Sequence, residues 1–247
     1  MNRVLIRAVN LRKTFKDRRK GTVEAVKDVS FEAVAGEIFG LLGPNGAGKT
    51  TTLRMLATIL QPTSGTAEIA GFDVRKNPDE ARRSLGFLSG DTGLYARLSA
   101  REMISYFGSL YGLNGDKLRE KVEAIGRKFD MASFFHRRCA KLSTGQKQKV
   151  SISRTVIHDP PVLILDEPTA GLDVLAGRNI IDFIRSSRDE GKCVVLSTHD
   201  MGEAERLCDR IAIIHDGVIA AVGTKDQLFA QYEAHDLEAA FLRAVQE

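Results

Sequence analysis

The sequence lacks any apolar run that approaches the roughly 20 residues needed to cross a bilayer as a helix. Its opening stretch, MNRVLIRAVNLRK, carries charge inside the apolar pattern, unlike a secretory leader. Cysteine is scarce, and Cys139, Cys193 and Cys208 show no paired spacing that would indicate zinc or a disulfide framework. We therefore expect a soluble chain with reduced thiols, as in a cytosolic protein.

A strong charge bias is also missing. The 36 basic and 32 acidic residues leave a net charge of +4, which is too small to indicate nucleic acid, and we expect no nucleic-acid partner. The basic run KTFKDRRK at residues 13–20 fits either an anionic-lipid or nucleic-acid patch or a solvated turn between strands, and the turn is favoured. Internal repeats and low-complexity tracts are absent, and the 43% hydrophobic content is enough for a large core.

The first part of the chain mixes strand and helix patterns. Short runs rich in alternating apolar residues predict strands at residues 4–11, 26–34 and 65–74. Helical spacing predicts a helix at residues 51–60, and residues 78–83 predict the start of another. From about residue 99 to residue 157 the strand pattern disappears and helical spacing takes over, with a turn at residues 112–115. This stretch therefore predicts a helical insertion.

The last part returns to strands. PVLILDEP at residues 161–168 and KCVVLSTHD at residues 192–200 are continuous apolar runs separated by a helix-length segment, as in a parallel sheet with a crossover helix. RIAIIHDGVIAAVG at residues 210–223 predicts a hairpin that turns at Asp216-Gly217.

A glycine-rich loop carries the strongest chemical signal. GLLGPNGAGKTTTLRML at residues 40–56 contains G-x-x-x-x-G-K-[ST] between a predicted strand and a predicted helix, a context that favours a phosphate cradle over a plain glycine turn with a surface lysine. Lys49 would hold the β- and γ-phosphates, and the Thr50 hydroxyl would bind Mg²⁺. The predicted nucleotide-binding residues of this loop are Gly43, Pro44, Asn45, Gly46, Ala47, Gly48, Lys49, Thr50 and Thr51.

Polar residues end the two predicted parallel strands, at the edge where such sheets bind ligands. Asp166, Glu167 and His199 should therefore converge on the glycine-rich loop. We predict that Asp166 serves the Mg²⁺ site, that Glu167 is the base for an attacking water, and that His199 senses the γ-phosphate. Taken singly, the acidic pair could be a solvated strand end and His199 a structural histidine.

A second loop, LSTGQ at residues 142–146, precedes an amphipathic helix. Its helix N-terminus offers unpaired N–H groups, which makes it another potential anion site. One nucleotide does not need two such helix ends from one fold. The loop therefore requires a further explanation.

With these motifs in place, the sequence resembles the ATP-binding subunits of ABC transporters over nearly its full length. GPNGAGKTT resembles the Walker A loop, LSTGQ the signature motif and VLILDEP the Walker B strand. AGLD, ending at Asp173, resembles the D-loop, and STH ends at His199 as the switch histidine does. Phe15 lies where the family places an aromatic residue that stacks on adenine. Five motifs in the family order exclude a chance match.

The resemblance implies a fold: an α/β, P-loop NTPase (RecA-like) core with a mostly parallel sheet, an antiparallel β subdomain and an α-helical insertion. In a single ATP-binding domain, residues 1–87 and 153–223 would form the core with its antiparallel region. Residues from about 88 to 152 would form the helical subdomain, and residues 224–247 a C-terminal helical tail.

The resemblance also implies a mechanism. In that family two domains meet head to tail, and each ATP, with Mg²⁺, lies between the Walker A loop of one and the signature loop of the other. Ser143, Gly145 and Gln146 would thus act in trans, within a homodimer that ATP closes and hydrolysis reopens. The motion would pass to a transmembrane permease subunit at the cytoplasmic face of the cell membrane.

One departure concerns the glutamine that the family usually has where the core meets the helical insertion. Here the region reads LGFLSGDTGLYARLSARE, and Gly90 falls at or next to that position, flanked by Ser89 and Asp91. Water or Asp91 would have to replace the missing carbonyl. Downstream, Leu94, Tyr95 and Leu98 should form a partly exposed apolar ridge that a partner could contact; the alternative is that they pack under the insertion.

GDTGLY, TTTLRMLATIL and LEAAFL are similar to segments of NatA-type subunits of sodium-exporting ABC transporters, but drug and lipid exporters share them, which leaves the cargo open. A soluble ABC ATPase acting on ribosomes or DNA would normally carry two cassettes or a long coiled-coil insertion. Kinases and small GTPases lack the LSTGQ loop, and an NKxD-like guanine motif is absent. We therefore predict a transport ATPase.

Overall fold

The structure is a computed structural model that describes residues 3–17, 21–90 and 93–246. Within these ranges the chain forms one sheet in the order β5-β4-β1-β2-β10-β9-β3-β8-β7-β6. Its strands are β1 Val4–Asp17, β2 Gly21–Val34, β3 Glu37–Leu42, β4 Ser64–Ile69, β5 Phe72–Asp73, β6 Leu85–Leu88, β7 Val162–Asp166, β8 Cys193–Thr198, β9 Arg210–His215 and β10 Val218–Gly223.

Helices cover both faces of this sheet. They are α1 Lys49–Leu56, α2 Pro78–Arg83, α3 Ala100–Leu110, α4 Gly115–Lys128, α5 Thr144–Val156, α6 Val174–Asp189, α7 Met201–Leu207, α8 Lys225–Gln231 and α9 Leu237–Ala244. In the described part of the chain, none of them combines the length and the apolar character that a bilayer span requires.

The parallel half of the sheet consists of β9, β3, β8, β7 and β6. Every residue of β3, β7 and β8 is buried, because helices cover both faces, and this explains their uninterrupted apolar runs. The strand β6 was not foreseen, since its four-residue run LGFL is too short to show a period. The hairpin β9–β10 lies where it was predicted. The parallel strands, the antiparallel strands and the helices between β6 and β7 together confirm the predicted fold class.

The antiparallel half is larger than its sequence pattern indicated. β1 and β2 pair along their whole 14-residue lengths, with Phe15 opposite Val23 near their exposed end. Several register shifts interrupt this pairing, which explains why simple alternation failed beyond residue 11. Among the described residues, Val218 of β10 pairs in parallel with Asp28 of β2, and this bridge joins the antiparallel half to the rest of the sheet.

The helix α1 begins and ends earlier than the predicted range of residues 51–60. It starts at Lys49 and stops at Leu56, because Thr58 adopts a left-handed conformation with φ +61°. The N–H groups of Ile59 and Leu60 then both donate to the carbonyl of Arg54 and close the helix. The chain thus leaves α1 several residues before Pro62.

Three apolar cores lie around the sheet. The first packs the antiparallel strands and α1 against one sheet face, and the second packs α3, α4, α5 and α6 against the other. The third holds α8 and α9 against β9 and α7. The predicted boundaries at residues 87 and 152 fall inside β6 and α5, and the division into subdomains stays a prediction.

Candidate nucleotide-binding site

The glycine-rich loop connects the buried end of β3 to the first residue of α1. Gly46 and Gly48 have φ values of +86° and +101°, a region that side-chain-bearing residues rarely enter. A Cβ on Gly43 would lie 2.1 Å from the Ile214 carbonyl oxygen, and one on Gly48 would lie 2.6 Å from that of Ala25. Neighbouring backbone therefore requires glycine at both ends of the loop.

Lys49, the first residue of α1, is buried, and its side chain turns back toward the loop. Its Nζ donates to the carbonyl oxygens of Gly43 at 2.7 Å and Pro44 at 3.1 Å, and it lies 3.9 Å from Glu167 Oε1. Burial lowers the pKa of this ammonium, while the carboxylates of Glu167 and Asp166 act in the opposite sense. A cation held by carbonyls and facing carboxylates can exchange these partners for phosphate oxygens.

A cavity of about 250 Å³ opens beside Lys49 at the N-terminus of α1. Backbone N–H groups and the helix dipole favour an anion there. Its lining consists of Ala25, Asn45, Gly46, Gly48, Lys49, Thr50, Thr51 and Glu167. The residue types and the loop geometry fit the phosphates of a nucleotide.

Asp166 ends β7 next to this cavity and is buried. Its Oδ1 accepts from Thr50 Oγ1 at 3.1 Å and from Ser197 Oγ at 2.6 Å. A hydroxyl beside a carboxylate is the oxygen-rich donor set that Mg²⁺ prefers near phosphates. Thr50 and Asp166 could therefore hold this metal.

Glu167 follows directly and adopts φ +47°, a conformation that is uncommon for a residue with a side chain. Its Oε1 lies 3.1 Å from Nδ1 of the exposed His199, just beyond β8. Its backbone N–H donates to Ser197 Oγ at 3.0 Å. As predicted from the strand ends, Asp166, Glu167 and His199 converge on the glycine-rich loop.

The LSTGQ loop lies elsewhere on the chain. Ser143 caps α5 in a reciprocal arrangement: its Oγ accepts from the Gln146 N–H, and Gln146 Oε1 accepts from the Ser143 N–H at 3.1 Å. Gly145 packs on α6, where an added Cβ would lie 3.0 Å from that of Ala176. Among the described residues, those lining the phosphate cavity include none from this loop. Ser143, Gly145 and Gln146 therefore do not meet Lys49 within one chain.

The residues between Glu167 and α6, which end in AGLD, contact both the helical region and the core. Gln148 Nε2 of α5 donates to the Pro168 carbonyl at 2.7 Å, and the Thr169 hydroxyl bonds to the buried Glu203 of α7. Asp173 caps α6 by accepting from the Ala176 N–H at 2.9 Å. The segment after Glu167 is thus fastened to two different helices. Asp173 itself lies outside the phosphate cavity.

Phe15 is exposed on the β1–β2 ribbon. It pairs with the equally exposed Val23, and Ala25, two residues further along β2, lines the phosphate cavity. Lys13 Nζ lies 5.2 Å from the centre of the Phe15 ring. The ribbon therefore offers an apolar surface near the cavity, as adenine stacking would require.

Some contacts at the site arise only in the tertiary structure and leave no signal in the sequence. Gly217, in the β9–β10 turn, donates its N–H to the Ala47 carbonyl at 3.1 Å, and its own carbonyl accepts from the N–H groups of Lys27 and Asp28. This turn therefore connects the phosphate loop to β2. The Asp-Gly dipeptide predicted the turn but not its contacts. Ser197 lies within the STH motif, but it also belongs to the strand β8. The sequence therefore gave no sign that its hydroxyl bonds to Asp166 and Glu167.

The junction between core and helical insertion is described only in part. Gly90 follows β6, whereas Asp91, proposed to replace the glutamine carbonyl, lies outside the described residues. The buried Arg154 of α5 donates to the Gly93 carbonyl at 3.0 Å and lies 5.1 Å from the Phe107 ring centre. This contact ties the chain at Gly93 to α5.

Only part of the predicted ridge beyond this junction is exposed to solvent. Leu94 and Leu98 are half-buried and pack against the helical core, while Tyr95 is 56% exposed. Its ring meets that of Tyr106, 43% exposed, edge to face at 5.8 Å. The most exposed residue of the ridge is therefore Tyr95, which forms an exposed aromatic pair with Tyr106 of α3.

Together, the sheet topology and the strand–loop–helix phosphate cradle define a P-loop nucleoside triphosphatase. The family model described as "ABC transporter" matches residues 26–170, more than half of the chain. The chain belongs to the family of ABC transporter ATP-binding proteins, and it is an ABC ATPase.

Relatives and solved structures agree with this assignment. The chain is 40% identical over 239 residues to the ABC transporter ATP-binding protein NatA of Bacillus subtilis, covering 96% of this chain and 97% of that protein. It is 38% identical to the probable multidrug ABC transporter ATP-binding protein YbhF of Escherichia coli, covering 98% of this chain but only 42% of YbhF. Thus it spans less than half of that longer protein.

Among solved structures, an ATP-binding subunit of an ABC transporter superimposes with a TM-score of 0.86 at 29% identity, covering 98% of this chain and 99% of that one. The ATP-binding cassette MJ0796, as a post-hydrolysis dimer bound to ADP and Pi, gives a TM-score of 0.81 at 27% identity over 89% of this chain and 98% of its own. The ATP-binding function of the chain follows from this family membership.

Proposed function

We propose that this subunit powers export through a separate transmembrane permease subunit, as a homodimer that sandwiches two ATP molecules at the cytoplasmic face of the membrane. One observation carries the proposal: Lys49, Asp166, Glu167 and His199 meet at the phosphate loop, while the signature loop of the same chain lies apart from it. A second copy placed head to tail would supply that loop. The dimeric MJ0796 cassette supports this arrangement.

Each residue has a defined task in this proposal. Lys49 and the loop N–H groups bind the β- and γ-phosphates, and Thr50 and Asp166 hold Mg²⁺, which offsets phosphate charge when bound. Glu167 accepts a proton from the attacking water, and His199, 3.1 Å from the Glu167 carboxylate, would sense the γ-phosphate. From the partner, Ser143, Gly145 and Gln146 would contact the γ-phosphate, with Asp173 beside them. Phe15 would stack on adenine.

The central test is Glu167→Gln. Glutamine keeps the shape of the side chain but takes up no proton, so MgATP should still bind while turnover falls at least about a hundredfold. Because the step that opens the dimer is then blocked, the variant should elute as a dimer on gel filtration with MgATP and as a monomer without it. Near-normal turnover would assign the base to another residue, and a monomer with bound ATP would contradict the sandwich.

Two further variants separate the parts of this proposal. Lys49→Ala should abolish tight ATP binding, because the triphosphate loses its fixed counter-charge. Adding Ser143→Asp to Glu167→Gln keeps a good helix cap but places negative charge toward the partner's phosphates, so the ATP-dependent dimer should be lost while ATP binding remains. A dimer that survives this change would show that the signature loop does not act in trans.

For the cargo, we propose sodium ions, because GDTGLY, TTTLRMLATIL and LEAAFL resemble segments of NatA-type subunits of sodium exporters. The 40% identity to NatA along almost the whole of both chains agrees with that resemblance. A drug or lipid is the second candidate, supported by the similarity to YbhF and to the doxorubicin resistance ATP-binding protein DrrA of Mycobacterium tuberculosis. Vesicles containing the subunit and its genetically neighbouring membrane protein should show ATP-driven sodium movement but no doxorubicin movement. The reverse result would favour the second candidate.

Copurification tests the alternative that the chain is a soluble ABC ATPase without a transport role. A transport subunit should be retained by a multi-span membrane protein after detergent extraction. Recovery with ribosomes or DNA instead would contradict the transport proposal.

A further inference from the structure

Ser197 stands out because one small buried side chain contacts both members of the acidic pair. It belongs to β8, opposite Asp166 of β7, and its exposed fraction is 0%. A hydroxyl carries one hydrogen and two lone pairs. Here the hydrogen is given to Asp166 Oδ1 at 2.6 Å, and the oxygen accepts the Glu167 N–H at 3.0 Å.

These two bonds act on different features of the site. The bond to Asp166 fixes the plane of a carboxylate that also receives the Thr50 hydroxyl. The bond to Glu167 holds a backbone that turns into the left-handed region at φ +47°, and this turn directs the side chain toward His199. Ser197 thus ties the orientation of one carboxylate to the backbone of the next.

We propose that Ser197 is a positioning residue for ATP hydrolysis: its hydroxyl orients Asp166 for Mg²⁺ and Glu167 for the attacking water. This inference rests on the roles assigned above to Asp166 and Glu167. Ser197 does not line the phosphate cavity among the described residues, so it acts through these two neighbours. Its loss should therefore affect the metal-dependent part of binding and the chemical step, but not the binding of metal-free nucleotide.

The test is Ser197→Ala, compared with Ser187→Ala as a matched control. Ser187 is equally buried, but its hydroxyl donates to the Phe183 carbonyl on α6 instead of reaching the site. The affinity for a non-hydrolysable ATP analogue is measured by calorimetry with Mg²⁺ and with EDTA. In Ser197→Ala, the affinity gained on adding Mg²⁺ should shrink about tenfold, the size of effect expected for a lost hydrogen bond to a charged group.

Turnover gives the second readout. The kcat of Ser197→Ala should fall about tenfold, and the Mg²⁺ concentration for half-maximal rate should rise by a similar factor. Ser197→Cys keeps the size with a weaker donor and should lie between alanine and wild type on both measures. This variant also carries the test if circular dichroism shows that the alanine variant does not fold.

Three results would overturn the inference. Metal-dependent affinity and kcat both within about twofold of wild type would make Ser197 a structural serine only. An equal loss of affinity in EDTA would mean that it supports the phosphate loop rather than Asp166. A loss of the same size in Ser187→Ala would mean that any buried serine matters. If wild type itself neither binds nor hydrolyses ATP, the proposed function fails instead, and the two failures are thereby distinguished.

Discussion

At the scale of single residues, burial shifts the pKa values of a lysine and two cysteines. Lys49 is buried yet retains two carbonyl acceptors and a carboxylate nearby, so its desolvation is partly offset. Cys193 and Cys208 have no such compensation for a thiolate, and burial raises the pKa of both thiols. Nearby carboxylates and carbonyl oxygens therefore favour the charged form of Lys49 against the effect of burial. Burial alone keeps the two cysteines in the unreactive thiol form.

His158 provides a pH-dependent contribution to stability. Its Nε2 lies 3.1 Å from the Leu85 carbonyl oxygen, its ring stacks on Tyr111 at 3.6 Å, and its Nδ1 is buried without a partner among the described residues. Burial lowers the pKa of His158 from 6.5 to about 4. Between these values the unfolded chain binds a proton that the folded chain does not, so this contribution is present above pH 6.5 and is lost as the pH falls toward 4.

We therefore expect the urea midpoint of the protein to decrease between pH 7 and pH 5, and to decrease less in His158→Gln, whose amide can still reach the Leu85 carbonyl. The comparison concerns the change with pH, since the glutamine variant also loses the stacking on Tyr111. His235→Gln, at an exposed histidine, serves as control and should follow wild type. A slope for His158→Gln equal to that of wild type would contradict the assignment.

At the scale of elements, the β9–β10 turn reverses the chain and also contacts the phosphate loop and β2. Asp216 and Gly217 both have positive φ values, +45° and +80°, as a two-residue type I′ hairpin requires. A Cβ on Gly217 would lie 3.1 to 3.2 Å from backbone atoms of Lys27, Ala25 and Val26. Space at this turn is therefore limited by the strand that also borders the phosphate cavity.

Gly217→Ala should lower the free energy of unfolding by about 1–3 kcal/mol and weaken ATP binding, because the added methyl group strains the backbone and displaces β2. The β4–β5 hairpin supplies the control: Gly71 has φ +88°, but a Cβ there would meet no described atom within 4 Å. Gly71→Ala should show only the backbone cost and normal ATP affinity. Urea unfolding and calorimetry measure the two quantities, and equal ATP affinities in both variants would contradict the link to the phosphate loop.

The sequence predicted elements well where a local pattern was strong. Helix α2 begins at Pro78, where the sequence predicted the start of a helix, and the strands β7 and β8 lie within continuous apolar runs. The convergence of Asp166, Glu167 and His199 followed from a general property of parallel sheets. The length of β1 and β2, the strand β6 and the contacts of Ser197 and Gly217 were not predictable, because they depend on partners distant in sequence.

At the scale of the whole molecule, the proposed ATP site and the exposed tyrosines occupy different regions. The phosphate cavity lies at the N-terminus of α1, whereas Tyr95 and Tyr106 lie at the junction with α3. An exposed aromatic pair on a monomer often marks a partner site. A membrane partner bound there would contact the helical region and not the residues of the phosphate cavity.

Replacing both Tyr95 and Tyr106 with alanine should therefore leave the ATPase activity of the isolated subunit within about twofold of wild type, while retention by the permease falls at least tenfold, as for loss of interface aromatics. ATPase assays and detergent copurification measure the two effects. Leu242→Ala, a change of an exposed apolar residue on α9, should alter neither. Equal loss of ATPase activity and retention in the double variant would show that the tyrosines support the fold instead.

The bond between Gly217 and Ala47 also limits how the polypeptide can be re-engineered. Exposed hairpin turns are the usual positions for inserted domains and for new termini in circular permutants. The Ala70-Gly71 turn fits this use, because a side chain there would point into open space. The Asp216-Gly217 turn does not, since both polar backbone atoms of Gly217 are bonded to elements of the nucleotide site. A reporter domain inserted at residues 70–71 should thus leave an ATP-binding protein, whereas the same insertion at residues 216–217 should not.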